Sequence, residues 1–220
     1  MYLSIDKTLK DIVDGEITLG VIEGTVKVYK SSHELMESIN KICDEIYNTY
    51  SLEEVLQARG IKEARCAYRK LGNDPSRYRV APESLMRRVV KGNGLYKVNN
   101  VVDINNLISL KSKLPVCAYN ADKINGNITL KKGITDDVYE GIGRGKIKIQ
   151  NLPAFYDYEG AFGSTTSDSV KTMVDENCEN LILIILSFKR NDKIEKYLYE
   201  TCELLEKFAQ GKDLKISMIN

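Results

Sequence analysis

The chemistry open to this sequence is limited first by its single histidine, His33. A multi-histidine metal site is excluded, and any Ser–His or Cys–His mechanism would have to draw its base from that one position. His33 lies early in an expected helix cap, where a surface side chain is the ordinary outcome. The five cysteines, Cys43, Cys66, Cys117, Cys178 and Cys202, are odd in number, far apart and without a Cys-x-x-Cys pair. That spacing predicts reduced thiols and argues against a zinc ribbon, a dithiol redox motif or a disulfide framework. No pair of carboxylates stands out for acid–base work. No metal or cofactor is expected, and no residue is singled out as catalytic.

Two glycine-rich segments carry further candidates. Gly141-Ile142-Gly143-Arg144-Gly145-Lys146 has the composition of a phosphate loop but not its spacing. A P-loop needs glycine where Glu140 stands and Ser or Thr where Ile147 stands, and a dinucleotide fingerprint needs a third glycine at Lys146. A β-turn is the better reading. Gly163-Ser164-Thr165-Thr166-Ser167-Asp168-Ser169 is dense in hydroxyls but lacks the Gly-x-Ser-x-Gly frame of a nucleophile elbow. It reads either as a polar turn in which Asp168 or Ser169 caps something, or as the lining of a polar pocket.

Charge is the third signal. The chain carries a formal net charge of +1, which by itself points to no partner. Between Arg65 and Lys91, however, eight basic residues face only Asp74 and Glu83, and six of the nine arginines lie in this window. Arginine is the side chain suited to bidentate binding of phosphate or carboxylate. Arg69, Arg77, Arg79, Arg87 and Arg88 are therefore candidate RNA contacts, with Tyr68 and Tyr78 among them as candidate stacking platforms. The competing reading is a set of ion pairs and solvated helix faces.

These residues need elements to position them. Alternating Ile17, Leu19 and Val21, then Val26 and Val28, predict one or two strands. Ser31 with Glu34 has capping-box spacing ahead of a stripe of Leu35, Ile39, Ile42, Ile46 and Tyr50. Ser51 with Glu54 repeats it, and Gly60 is a plausible helix stop. A helix over about 62–70 ends near Gly72, Asp74-Pro75-Ser76 is turn chemistry, and Pro82 opens a short helix closing at Gly92. Beyond position 96, short apolar stretches at 115–119, 127–130, 146–149, 153–156 and 181–186 predict a β-rich region. An amphipathic helix over about 191–209 is expected to close the chain. At 220 residues, 43% apolar and 29% charged, the chain fits one folded domain or a domain with an extension. Strands following strands predict the α+β class. The N-terminal residues lack a secretory signal, no apolar run is long enough for a membrane span, and a cytoplasmic location is expected.

One element goes beyond pattern. Asn99-Asn100-Val101-Val102-Asp103-Ile104-Asn105-Asn106-Leu107 is similar to a signature, Asn-Asn-Val-Val-Asp-Val-Thr-Asn-Tyr, in the B3/B4 domain of the bacterial phenylalanyl-tRNA synthetase beta chain. Pro115-Val116-Cys117-Ala118-Tyr119-Asn120, Gly160-Ala161-Phe162-Gly163-Ser164-Thr165 and Asn180-Leu181-Ile182-Leu183 resemble later elements of that domain in the same order. Asp74 to Arg79 and Glu83 to Arg88 resemble free-standing B3/B4 proteins. The resemblance covers about 62–187, with Cys117 in place of a family histidine and Ser164 or Thr165 near the place of a family glutamate. It implies a B3/B4-like domain over 62–220, with a β-rich centre flanked by helices, and N-terminal strands and helices over 1–61 packed on it. It also implies a tRNA or aminoacyl-tRNA partner, with a role in binding or in hydrolysing mischarged aminoacyl-tRNA, and not a complete synthetase. A small-molecule binder on the same scaffold is the alternative. The implied pocket is lined by Asn99, Asp103, Asn106, Cys117, Ser164, Thr165 and Thr166. Asp103 has a second reading, as part of a helix cap.

Overall fold

A computed structural model describes residues 2–220. Strands Thr18–Thr25 (β2), Val116–Asn120 (β3), Asn180–Ser187 (β9) and Lys212–Ile219 (β10) form an antiparallel sheet in the order β10-β2-β9-β3. A second sheet joins Leu3–Ile5 (β1), Ile128–Lys132 (β4), Pro153–Asp157 (β7) and Gly160–Ser164 (β8) in the order β1-β4-β7-β8. Val138–Gly141 (β5) and Gly145–Lys148 (β6) make a hairpin. The glycine-rich segment 141–146 is its turn, with Gly143 and Gly145 at positive φ.

Strand β9 explains the layering. Its run Leu181 to Leu186 is fully buried, and alternate residues enter two separate cores. Leu181, Leu183 and Ile185 pack with the helices His33–Thr49 (α2), Ala81–Val90 (α5), Asn100–Ser112 (α6) and Ile194–Ala209 (α7). Ile182, Ile184 and Leu186 face the second sheet, with the helices Lys7–Ile12 (α1) and Arg59–Leu71 (α4). A strand buried on both faces needs no polar alternation, and each such side chain contributes roughly 1.5–3 kcal/mol. Strand β3 shares this geometry, so Val116 and Ala118 look toward the helical layer, while Cys117 and Tyr119 look toward the second sheet. The class is α+β. Strands β1 and β2, both from the first 61 residues, are paired with β4 and with β9 and β10.

Several local expectations are met. Ser51 and Glu54 form a reciprocal capping box on Leu52–Gln57 (α3), and Gly72 closes α4 at φ 91°. His33 stands exposed beside Glu37. Others need correction. The cap of α2 is Ser32, whose side chain accepts from the Leu35 amide, while Ser31 is used elsewhere. Gly60 does not stop a helix but lies in the first turn of α4, where a Cβ would come 2.4 Å from the Lys113 carbonyl oxygen. There the glycine allows backbone to approach backbone. The chain also does not close with a helix, because β10 follows α7 as a half-exposed edge strand. Its charged, weakly apolar sequence is what an edge strand tolerates.

Candidate functional site

The central sheet divides the residues that the sequence reading grouped into one pocket. Asn99, Asp103 and Asn106 belong to the helical layer through α6, while Cys117, Ser164, Thr165 and Thr166 lie on the other face of β3. A strap over 170–178 passes the open edge of β3 and touches both groups. The Asn120 amide donates to Thr172 O, the Thr172 hydroxyl donates to Phe162 O, and the Asn99 side-chain amide donates to Val174 O.

On the helical side the asparagine-rich signature is a saturated structural knot. The Asn99 side chain caps α6 by accepting from the Val102 amide at 2.9 Å. Asn100, wholly buried, accepts from the Tyr29 amide and donates to Lys27 O and Phe208 O, tying the segment after β2 to the end of α7. Asp103, 2% exposed, accepts from Ser31 Oγ at 2.5 Å and from the Val98 amide at 3.1 Å. Burial pushes its carboxyl above the usual range, and those two donors oppose the shift. Asn106 is half-buried on the same helix.

On the other side a polar cluster surrounds the turn after β8. The Cys117 thiol lies 3.9 Å from Ser164 O. Tyr68 of α4 bonds Thr165 Oγ1 at 2.6 Å and Thr166 Oγ1 at 2.8 Å. The Tyr139 hydroxyl, from β5, donates to Ser167 O at 2.6 Å and adjoins Ser164 Oγ at 3.0 Å. The Ser164 hydroxyl in turn meets Ser167 O and the amides of Thr166 and Ser167. Tyr119 of β3 is fully buried between Phe155 and Phe162, and its hydroxyl fits only because position 163 is glycine, where a Cβ would sit 2.3 Å from it. Burial raises the Cys117 thiol and the Tyr68 and Tyr119 hydroxyls far above their ordinary pKa values, so all three are protonated near neutrality. Tyr68 is therefore no stacking platform. Asp168, which the sequence reading noted only as a turn residue, closes the cluster. Burial lifts its carboxyl to about 7, with the neighbouring Tyr119 hydroxyl pulling the other way.

The arginine window separates into three groups. Arg65 is structural, with its Nη1 donating to both oxygens of the buried Glu83 at 3.0 and 2.9 Å and to Pro75 O. Arg79 is exposed and only 3.9 Å from Glu83, while Arg69 and Arg77 are exposed without an acidic partner among the described residues. The segment carrying Arg77 and Arg79 lies beside the Ser164 turn, because the Ala81 amide donates to Thr165 O. Arg88 stacks on Tyr96 at 3.7 Å and donates to its hydroxyl and to Asn93 O. Arg87 is half-buried in the same last turn of α5, about 9 Å along the helix from Ala81.

A surface groove of about 800 Å³ lies instead in the helical layer, lined by residues including Tyr50, Lys111, Lys113 and Glu200. Its cations are committed, Lys111 to Glu200 and Lys113 to the Leu110 carbonyl. All five cysteines are free thiols. Among the described residues, no group of three or more His, Cys, Asp or Glu could hold a metal ion, and no helix is long and apolar enough to cross a membrane.

These features define an α+β domain with a polar cluster between a central sheet and a basic flank. The family model of the B3/4 domain matches residues 63–214, and the chain belongs to that family. It is related in this way to a tRNA-synthetase domain. Among solved structures, an N-terminal fragment of the phenylalanyl-tRNA synthetase beta-subunit from Pyrococcus horikoshii matches with 13% identity and a TM-score of 0.49. The match covers 99% of this chain and 50% of that one, so the chain spans half the length of the solved fragment. No curated protein matches.

Proposed function

We propose that this B3/4 domain binds tRNA, receives its aminoacyl end at the Ser164–Asp168 turn, and hydrolyses mischarged aminoacyl esters. The observation that carries the reading is the adjacency of the exposed Arg69, Arg77 and Arg79 to that turn, through the Tyr68–Thr166 and Ala81–Thr165 bonds. Arginines on the flank supply sequence-independent attraction to phosphates, and a polar turn beside them can orient the ester.

The side chains constrain the chemistry. The Cys117 thiol is buried and protonated, and the Ser164 hydroxyl is engaged inside its own turn, so neither is poised as a nucleophile. Attack on the ester therefore falls to water held by the turn, which is sufficient for an activated ester whose reacting groups are well positioned. Nothing in the reading calls for ATP or an activation site, so no pyrophosphate exchange is expected.

Deacylation of a panel of aminoacyl-tRNAs by the purified chain tests the activity. Binding of uncharged tRNA across a salt series tests the partner. The expected log–log slope is about −0.7 per single-strand phosphate contact, flattening when Arg69, Arg77 and Arg79 are replaced by alanine. Absence of binding at low salt, or a salt-independent signal, defeats the proposal. The second reading, a binder of a free amino acid or related metabolite, is favoured by the buried, unpaired Asp168 and Tyr119 groups. Stabilisation by a free amino acid with none by tRNA would select it.

A further inference from the structure

Among the described residues, Tyr119 Oη and Asp168 Oδ1 are buried polar atoms without a hydrogen-bond partner. Every other polar group of the cluster is satisfied: Tyr68 by Thr165 and Thr166, Tyr139 by Ser164 and Ser167. An unpaired buried polar group typically costs about 1–3 kcal/mol. Two side by side, in a cluster otherwise fully bonded, call for a specific occupant. Asp168 as a residue is only half-buried although its Oδ1 is inaccessible, so its carboxylate reaches from the surface of the turn to the interior hydroxyl.

We propose that Asp168 and Tyr119 form the seat for a primary ammonium group, and that the ligand bearing it is the aminoacyl moiety. This inference rests on the aminoacyl reading of the same turn. The chemistry selects the group. A carboxylate oxygen and a phenol oxygen lying together present acceptors, and the complement is a compact cation with several N–H donors. A phosphate or carboxylate would be repelled. An aminoacyl ester carries one such cation, its α-ammonium. The seat would therefore separate aminoacylated from uncharged ends and free amines from N-blocked ones, whatever the side chain.

The electrostatics are consistent with this assignment. The titratable groups that face Asp168 are Cys117 and Tyr119 of β3 and Tyr139 of β5, all neutral near pH 7. No cation of the protein is among the causes acting on its carboxyl. A bound ammonium would supply that charge, favour the carboxylate and release a proton on binding.

The test titrates the whole chain calorimetrically with amides of tyrosine, phenylalanine and alanine, with their N-acetyl counterparts, and separately with uncharged tRNA. The free-amine amides should bind about tenfold more tightly than the N-acetyl forms, as expected for one charge-assisted contact. Asp168→Asn should bring that ratio to one while raising the melting temperature at mildly alkaline pH, which shows the variant is folded. Tyr119→Phe should lower the ratio by less. A ratio that survives Asp168→Asn overturns the inference. So does a ratio of one in the unmodified protein, or no binding of any amide. The tRNA arm reads the underlying proposal separately. Salt-dependent tRNA binding with an amide ratio of one leaves that proposal standing and this inference fallen. An amide ratio without tRNA binding does the reverse.

Discussion

The two faces of β3 carry polar clusters of similar composition and opposite character. On the helical face, Asn99, Asn100 and Asp103 spend their hydrogen bonds on backbone: a helix start, the segment after β2, and the end of α7. On the other face, Ser164, Thr165, Thr166, Tyr68 and Tyr139 bond one another but leave Asp168 Oδ1 and Tyr119 Oη unmatched. A buried polar group that is fully paired holds the fold together. One that is buried and unpaired lowers stability, and a bound ligand can repay that loss. The family signature at 99–103 thus marks architecture, and the chemistry is better sought at 164–168.

The comparison breaks most visibly at Asn100. Asn100→Ala would strip partners from Tyr29 N, Lys27 O and Phe208 O, and should cost about 3–5 kcal/mol in a denaturant titration. If the same variant kept full stability, the knot would not be structural. Asp168→Asn should act in the opposite direction. The folded carboxyl titrates near 7 and the unfolded one near ~3.9. Between those values the folded chain holds a proton that the unfolded chain has released, so this group's contribution falls as pH rises through the window and is level above it. The variant should be about 2 kcal/mol more stable than the unmodified protein at alkaline pH, allowing for a half-buried residue, and the gap should close toward pH ~4. Melting curves across pH read this directly, and a gap that widens toward acid would refute it.

A finer contrast separates two tyrosines. Tyr139→Phe removes bonds to Ser164 and Ser167 and should cost about 1–2 kcal/mol, whereas Tyr119→Phe removes an unpaired hydroxyl and should fall within about 0.5 kcal/mol of neutral. Equal losses would mean that Tyr119 has a partner in solution. The smallest expected effect is at Arg69, Arg77 and Arg79. Each alanine variant should leave stability within about 0.5 kcal/mol in the same melts, because none is buried. A larger loss would place those arginines with Arg65 as part of the scaffold.

How much of this was legible in the sequence depended on whether the signal was local. The Ser51–Glu54 box, the Gly72 stop and the Leu181–Leu186 strand are carried by residues within a turn or a strand of one another, and each was readable. Ser31 and Ser32 are both competent caps. Only the tertiary bond to Asp103 shows that Ser31 is taken, which leaves Ser32 to cap α2. Gly60 has the composition of a stop, but its reason for being glycine is the Lys113 backbone 53 positions away. The hydroxyl-rich turn was visible as composition. Its partners Tyr68, Tyr119 and Tyr139 were not, since nothing in the sequence says which tyrosines of thirteen point at one another. That Asn99 and Cys117 lie on opposite sides of a sheet follows from strand alternation, but only once β3 is known to face helices on one side and strands on the other.

Strand β2 hydrogen-bonds on one edge to β9 and on the other to β10, with Thr18 opposite Ser187 and Leu19 opposite Ile219. On the ribosome it emerges early, while both neighbours are made last. At ordinary elongation rates the interval is roughly ten to thirty seconds. For that time an apolar Leu19–Ile22 segment has no lawful pairing, and the closing step of folding must join sequences from opposite ends of the message. Nascent chains of this protein should therefore depend on holdase chaperones, and should stay protease-sensitive until translation is nearly complete.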